Sequence, residues 1–308
     1  MSQVRHKQQN VQHMAGIIPI ASLETDFETE IPSVMHPYAN QYSFIQKAAL
    51  ECATVGCKTI WIVANDDVAP IIRKNVGDYV FDPVWAFRNL SKFHNQLRRE
   101  VPIYYVPIHP KDRERRDSNG WAALHGVAMS RWVTSKISKW LVADKYYITF
   151  PMSAYDFNAL REHRRSIIDK EKNFYLTYNG KSVKDNLPLP FTMFYKDYQK
   201  CKVDVNRKTT RTFSNFGTFS EIDKAEKLPL DERWSARKFD FSEVYQEVGD
   251  KNAIKVEAEW FYNTSIWDEY CAYLGEKGRT MRRPTKFLTR THKHDKIAYN
   301  QSTIEGEE

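Results

Sequence analysis

Cysteine is scarce in this chain of 308 residues: there are four, and none forms a Cys-x-x-Cys pair. That excludes a disulfide scaffold and the common structural zinc sites, so Cys52, Cys57, Cys201 and Cys271 are expected as free thiols. Glycine is also sparse, with 11 residues, and no stretch approaches the roughly 18 consecutive apolar residues of a membrane span. The first 13 residues are polar with no apolar run, which sets the expectation of a cytoplasmic protein with no secretory signal and no membrane partner. No Ser-His-Asp, Cys-His or His-Glu-x-x-His arrangement is evident, so hydrolase chemistry has little support. What is present is an ordinary globular composition, 42% hydrophobic and 14% aromatic, sufficient to fill a large core.

The charge is unevenly placed. Between Arg279 and Lys296 seven lysines and arginines face one acid, Asp295, and account for +6 of the net +7. Such density suits phosphate contacts, but Phe287 is the only aromatic within it, which limits base stacking. The segment reads as a nucleic-acid contact, a solvated tail, or an arm that wraps a partner subunit in a homo-oligomer, with the interspersed Phe287, Leu288 and Ile297 favouring the arm.

Hydrophobic periodicity organises the rest. Residues 15–21 and 59–64 are short β-branched apolar runs of buried-strand type. Between them Phe44, Ile45, Ala48, Ala49, Cys52 and Ala53 repeat at helical spacing, with Asn40 as the expected cap and Gly56 as the stop. Strand, helix and strand within fifty residues predict a parallel βαβ unit. Further strands are expected at 102–108 and 146–150, with a helix from Asn119 towards Trp140 and another capped by Asp156, carrying Leu160, His163 and Ile167 inward and Arg161, Arg164 and Arg165 towards solvent. Beyond Asn173 the pattern turns mixed, with strands near 174–178, 191–194 and 209–219, a turn at Asn179-Gly180, and helices at 242–248 and 267–274. The expected fold is α/β, a mixed and mainly parallel central sheet flanked by helices. Residues 1–14 form a polar leader, 15–275 one α/β domain and 276–308 a basic tail.

Several phrases in this order resemble the sugar nucleotidyltransferases, whose fold is that of the A-type glycosyltransferases. Residues 18–27 occupy the position of that family's Gly-rich loop and 31–37 that of its Pro-Lys segment. Residues 118–124 are similar to its Gly-Thr-Ala-x-Ala helix start, and 260–270 to its Trp-x-Asp-x-Gly-Thr-x-x-Asp-Tyr segment. The resemblance spans roughly residues 15–274 and also extends to proteins of this type in tailed phages of marine bacteria, which would place the chain in the host cytoplasm or the virion. It implies a nucleotide-diphospho-sugar transferase-like fold, Mg²⁺ as cofactor, and transfer between a sugar phosphate and a nucleoside triphosphate.

The residues depart from that pattern at the charged positions. A Gly-rich loop works because missing side chains let backbone N–H groups approach phosphate. Here Ser22 and Glu24 replace the glycines, Asp26 the arginine and Ser33 the lysine, while Met152 and Asn263 stand where the family's Mg²⁺-binding aspartates would fall. The implied site is nucleotide-binding through Ala21, Ser22, Asp26, His109, Lys111, Arg113, Gly120 and Ala122, with weak or absent catalysis and no assignable catalytic residue. Asp66, Asp67 and Asp156 are the carboxylates that could replace the lost metal ligands. Each of the three also suits a helix cap, and the charges of 109–117 also suit a solvated, internally compensated loop. Two other functions fit the same features: a glycosyltransferase holding its metal on Asp66-Asp67, and a non-enzymatic interaction or structural protein of a viral assembly.

Overall fold

The computed structural model describes residues 13–84, 100–108, 118–209 and 239–281. Eight strands form one sheet: β1 (Met14–Pro19), β4 (Thr59–Ala64), β5 (Tyr79–Phe81), β6 (Glu100–Pro107), β7 (Lys145–Ile148), β9 (Phe174–Thr177), β10 (Phe191–Phe194) and β11 (Ile254–Glu257). Their order across the sheet is β11-β9-β10-β7-β1-β4-β6-β5. β1 lies between β7 and β4, parallel to both, and β4 is parallel to β6. β10 runs antiparallel to β7 and β9, and β5 antiparallel to β6. The expected parallel unit and mixed sheet are therefore present. Two small antiparallel pairs stand apart, β2 (Pro37–Ala39) with β3 (Tyr42–Ser43), and β8 (Ser153–Tyr155) with β12 (Phe261–Asn263).

Side chains alternate across β4, so Ile60 and Ile62 join one core layer with helix α1 (Phe44–Val55), while Trp61 and Val63 join the other with α3 (Asn119–Ile137). α3 lies close to the sheet because Gly126 has no side chain. A Cβ there would stand 2.6 Å from Val63 and 2.8 Å from Ile17. Gly126→Ala is expected to lose about 1–3 kcal/mol in urea denaturation, because α3 must lift off two strands at once.

Several local expectations change. α1 is capped by Ser43, with Gln46 completing a capping box, because residues 37–43 form the β2–β3 hairpin and leave Asn40 at its tip. Gly56 does end it, in the left-handed region at φ 101°. All twelve α1 residues are buried, since α2 (Ala69–Val76) and the 159–167 segment cover its outer side. The helix expected after Asp156 breaks into a 3-10 turn at Ala159–Arg161 and the single turn α4 (Arg164–Ile167), which His163 precedes half-buried. Arg164 does not face solvent. It pairs bidentately with the buried Asp82 at 2.8 and 2.6 Å and donates to the Thr54 carbonyl at the end of α1. Helix α5 spans Tyr195–Thr209, and the strand expected near 209–219 lies outside the described residues beyond its first position. The helix at 242–248 shortens to α6 (Phe241–Val244), and α7 spans Trp267–Tyr273. Asn179 and Gly180, at φ 50° and 73°, form the expected tight turn.

Candidate functional site

At the carboxyl ends of β1 and β7, beside the N-terminus of α3, a cleft of about 250 Å³ opens between Ser22, Glu24, Gly120, Met152, Phe241 and Asn263. This edge of an open α/β sheet is where ligands bind. The loop after β1 turns down into it from two hydrogen bonds, Ile20 N–H and Ala21 N–H both donating to the Val63 carbonyl. Ser22 then adopts φ 61°, a left-handed conformation that suits glycine and costs serine about 1 kcal/mol. The backbone therefore keeps a glycine's turn at a position where the resemblance expects one.

Beyond that turn the loop is tied down by side chains. Thr25 Oγ1 donates to the Phe27 carbonyl at 2.7 Å and lies 3.3 Å from Ser33 Oγ. Asp26 accepts from Trp267 N–H at 2.7 Å, so its carboxylate caps the start of α7. Phe27 stacks on His36 and Tyr270, with ring centroids 5.4 and 6.2 Å away. Asp26 and Ser33, at the positions where the resemblance would place an arginine and a lysine, are internal anchors of the loop.

His36 is part of that anchor, buried between Phe27 and Tyr270, with Nε2 3.0 Å from Thr29 Oγ1. Burial holds its pKa below the ordinary 6.5. Between that lowered value and 6.5 the unfolded chain binds more protons than the folded one, so stability rises with pH through this window and falls as the pH drops below 6.5. Melting curves at pH 7.5 and 5.5 are expected to show an acid loss that His36→Phe reduces.

The antiparallel pair β8–β12 sets Asn263 opposite Ser153 and so brings Met152 beside it. Both line the cleft, so the two positions that resemble metal-ligand sites do meet in space. Their chemistry does not suit Mg²⁺, which takes hard oxygen ligands with charge. Met152 offers a thioether, and Asn263 Oδ1 already accepts from Ser265 N–H and Ser265 Oγ–H. The replacement carboxylates lie elsewhere. Asp66 and Asp67 are exposed, with Asp67 accepting from Val68 N–H ahead of α2, and Asp156 accepts from Asn158 N–H. Among the described residues no cluster of three His, Cys, Asp or Glu side chains that could hold a metal occurs.

Of the expected nucleotide contacts, Ser22 and Gly120 line the cleft. Ala21 and Ala122 do not, being 1% and 0% exposed in the α3-side core. Ala122 points inward because α3 begins one residue after its cap, Ser118, whose Oγ accepts from Trp121 N–H. Gly120 is held by packing, since a Cβ there would lie 3.0 Å from Val244. His109, Lys111 and Arg113 lie outside the described residues, as does the basic segment beyond Met281.

The sequence reading missed Asn119, Phe150, Asn186 and residues 239–241 as cleft walls. Phe150 packs 4.5 Å from Phe241, forming an apolar side. Ser22 Oγ and Asn119 Oδ1, of two residues on the same cleft, are shielded from solvent and have no hydrogen-bond partner among the described residues. The charged side chains among the described walls are carboxylates, Glu24 and Asp240, with no lysine or arginine.

No protein-family model and no curated protein matches the sequence. Solved structures do match its shape. A protein assigned as a glucose-1-phosphate thymidylyltransferase of Bacillus anthracis, in complex with sucrose, aligns over 88% of this chain and 97% of its own at 9% identity, with a TM-score of 0.52. A nucleoside-diphosphate-sugar pyrophosphorylase of Vibrio cholerae aligns over 85% and 100% at 12% identity, with a TM-score of 0.49. The chain has the nucleotide-diphospho-sugar transferase-like fold.

Proposed function

We propose that the cleft binds a nucleotide or nucleotide sugar and that the chain does not release pyrophosphate at a useful rate. The observation that carries this is the convergence on one cleft of the turn at Ser22, the helix start at Gly120 and the Met152–Asn263 pair. The thymidylyltransferase-like neighbour supports the ligand class. The Phe150–Phe241 wall supplies the apolar surface that a base or sugar ring covers. Binding and catalysis separate here because the described walls lack the groups that neutralise a transferring phosphoryl. A glycosyltransferase reading loses its metal ligands, since Asp66 and Asp67 are not among the cleft walls.

Glu24 tests the placement. It is an exposed carboxylate at the cleft mouth that repels ligand phosphates. Glu24→Lys is expected to tighten nucleotide-sugar binding about tenfold at low salt in calorimetric titration, with the gain fading as salt rises. An unchanged affinity would place the ligand elsewhere.

A further inference from the structure

At the far end of α3 from the cleft, several large apolar side chains are exposed within a short stretch of chain. Trp132 is 58% exposed, Ile137 67%, Trp140 91% and Leu141 42%. They fall within ten residues, on the last turns of α3 and the 3-10 turn Lys139–Leu141 that follows it. Scattered single apolar residues on a surface need no explanation, but four together, two of them tryptophan, mark an interaction site.

Along this stretch the charges are of one sign. From 131 to 143 the chain has Arg131, Lys136 and Lys139 and no acid, and Lys136 and Lys139 are exposed. Arg131 stacks on the Tyr195 ring at 3.7 Å, which draws the first turn of α5 and its exposed Lys196 alongside. The next acid, Asp144, accepts from His13 N–H.

We propose that this end of α3 docks on an anionic lipid surface. Tryptophan prefers the headgroup level of a bilayer, its ring buried and its N–H wet. Lysine stems lie along the apolar surface while their ammonium groups reach lipid phosphates. A second copy of the chain is a poorer occupant, because a two-fold contact would set the same lysines against each other. Nucleic acid would use the tryptophans for stacking but has no use for Ile137 and Leu141. Because α3 has 19 residues and so spans about 28 Å, the docked protein would hold its cleft away from the membrane. No described helix is long and apolar enough to cross a membrane, so the contact is peripheral; it departs from the sequence-based expectation of no membrane partner.

The test is co-sedimentation of the full chain with vesicles of phosphatidylcholine alone and of phosphatidylcholine mixed with phosphatidylglycerol. Binding to the anionic vesicles is expected, weakened by salt, and at least about tenfold weaker for the double variant Trp132→Ser with Trp140→Ser. Both side chains are largely exposed, so the variant should melt like the native chain. Three results would overturn the proposal. One is the absence of anionic-vesicle binding. Another is equal binding by the double variant, which would assign it to cations elsewhere, such as Arg279 to Lys296. The third is a dimer in light scattering that the double variant abolishes, which would make a second copy the occupant.

Discussion

Lys47→Met is expected to lower stability by about 3–5 kcal/mol, the cost of leaving one member of a buried ion pair alone. Lys47 and Glu51 are one turn apart on α1, both fully buried, 2.8 Å from each other. The carboxylate also accepts from Tyr147 at 2.6 Å and from Tyr155 at 2.7 Å, while Lys47 donates to the Ser153 carbonyl and lies 3.7 Å from the centre of the Tyr155 ring. Burial pulls the Lys47 pKa down and Glu51 holds it up. Removing the ammonium leaves a carboxylate with only two phenols, in a layer where water cannot replace the lost partner. The melting temperature should fall on the order of 10 °C. Lys47→Met combined with Glu51→Leu should recover only part of that loss, because it removes both charges but leaves the buried Tyr147 and Tyr155 hydroxyls without their acceptor. If the single variant melted like the native chain, the pair would not be buried as described.

The second large effect is catalytic. Mixtures of nucleoside triphosphate, sugar phosphate and Mg²⁺ are expected to release pyrophosphate at least about 10⁴-fold more slowly than an intact nucleotidyltransferase, taking two lost charge-stabilising groups at about 10² each. Ser33 is tied to Thr25 and Asp26 to α7, so neither position offers a cation to phosphate. Met152 and Asn263, which line the cleft, stand where the resemblance to nucleotidyltransferases would place carboxylates. A coupled phosphate assay reads this directly. Robust Mg²⁺-dependent release would show that the chain assembles a working catalytic centre and would overturn this reading.

How much was legible in the sequence depended on how local each signal was. β4 was readable to the residue, because Thr59–Ala64 is a continuous apolar run ended by turn residues at both sides. The start of α3 was readable from Ser118 and the small residues after it. The pairing of Met152 with Asn263 was implied only by resemblance, and β8–β12 brings the two together over 111 positions of chain. Three things were hidden. Lys47 and Glu51 look like an exposed i,i+4 pair, since nothing local reports that α2 and the 159–167 segment cover α1 from outside. Arg164 looked solvated because its partner, Asp82, lies on a distant loop. Phe150 and Phe241 carry no motif, and only the approach of α6 to the end of β7 makes them one wall.

The central claim is that one cleft binds a nucleotide or nucleotide sugar without turning it over. Its most direct test is calorimetric titration of nucleotide sugars into the native chain and into Glu24→Lys, with and without Mg²⁺, followed by incubation with Mg²⁺ and pyrophosphate, the co-substrate of the reverse reaction, and chromatography of the recovered ligand. Saturable one-to-one binding is expected, tighter for Glu24→Lys, indifferent to Mg²⁺, with the ligand recovered intact. No binding by either chain, or Mg²⁺-dependent consumption of the ligand, would contradict it.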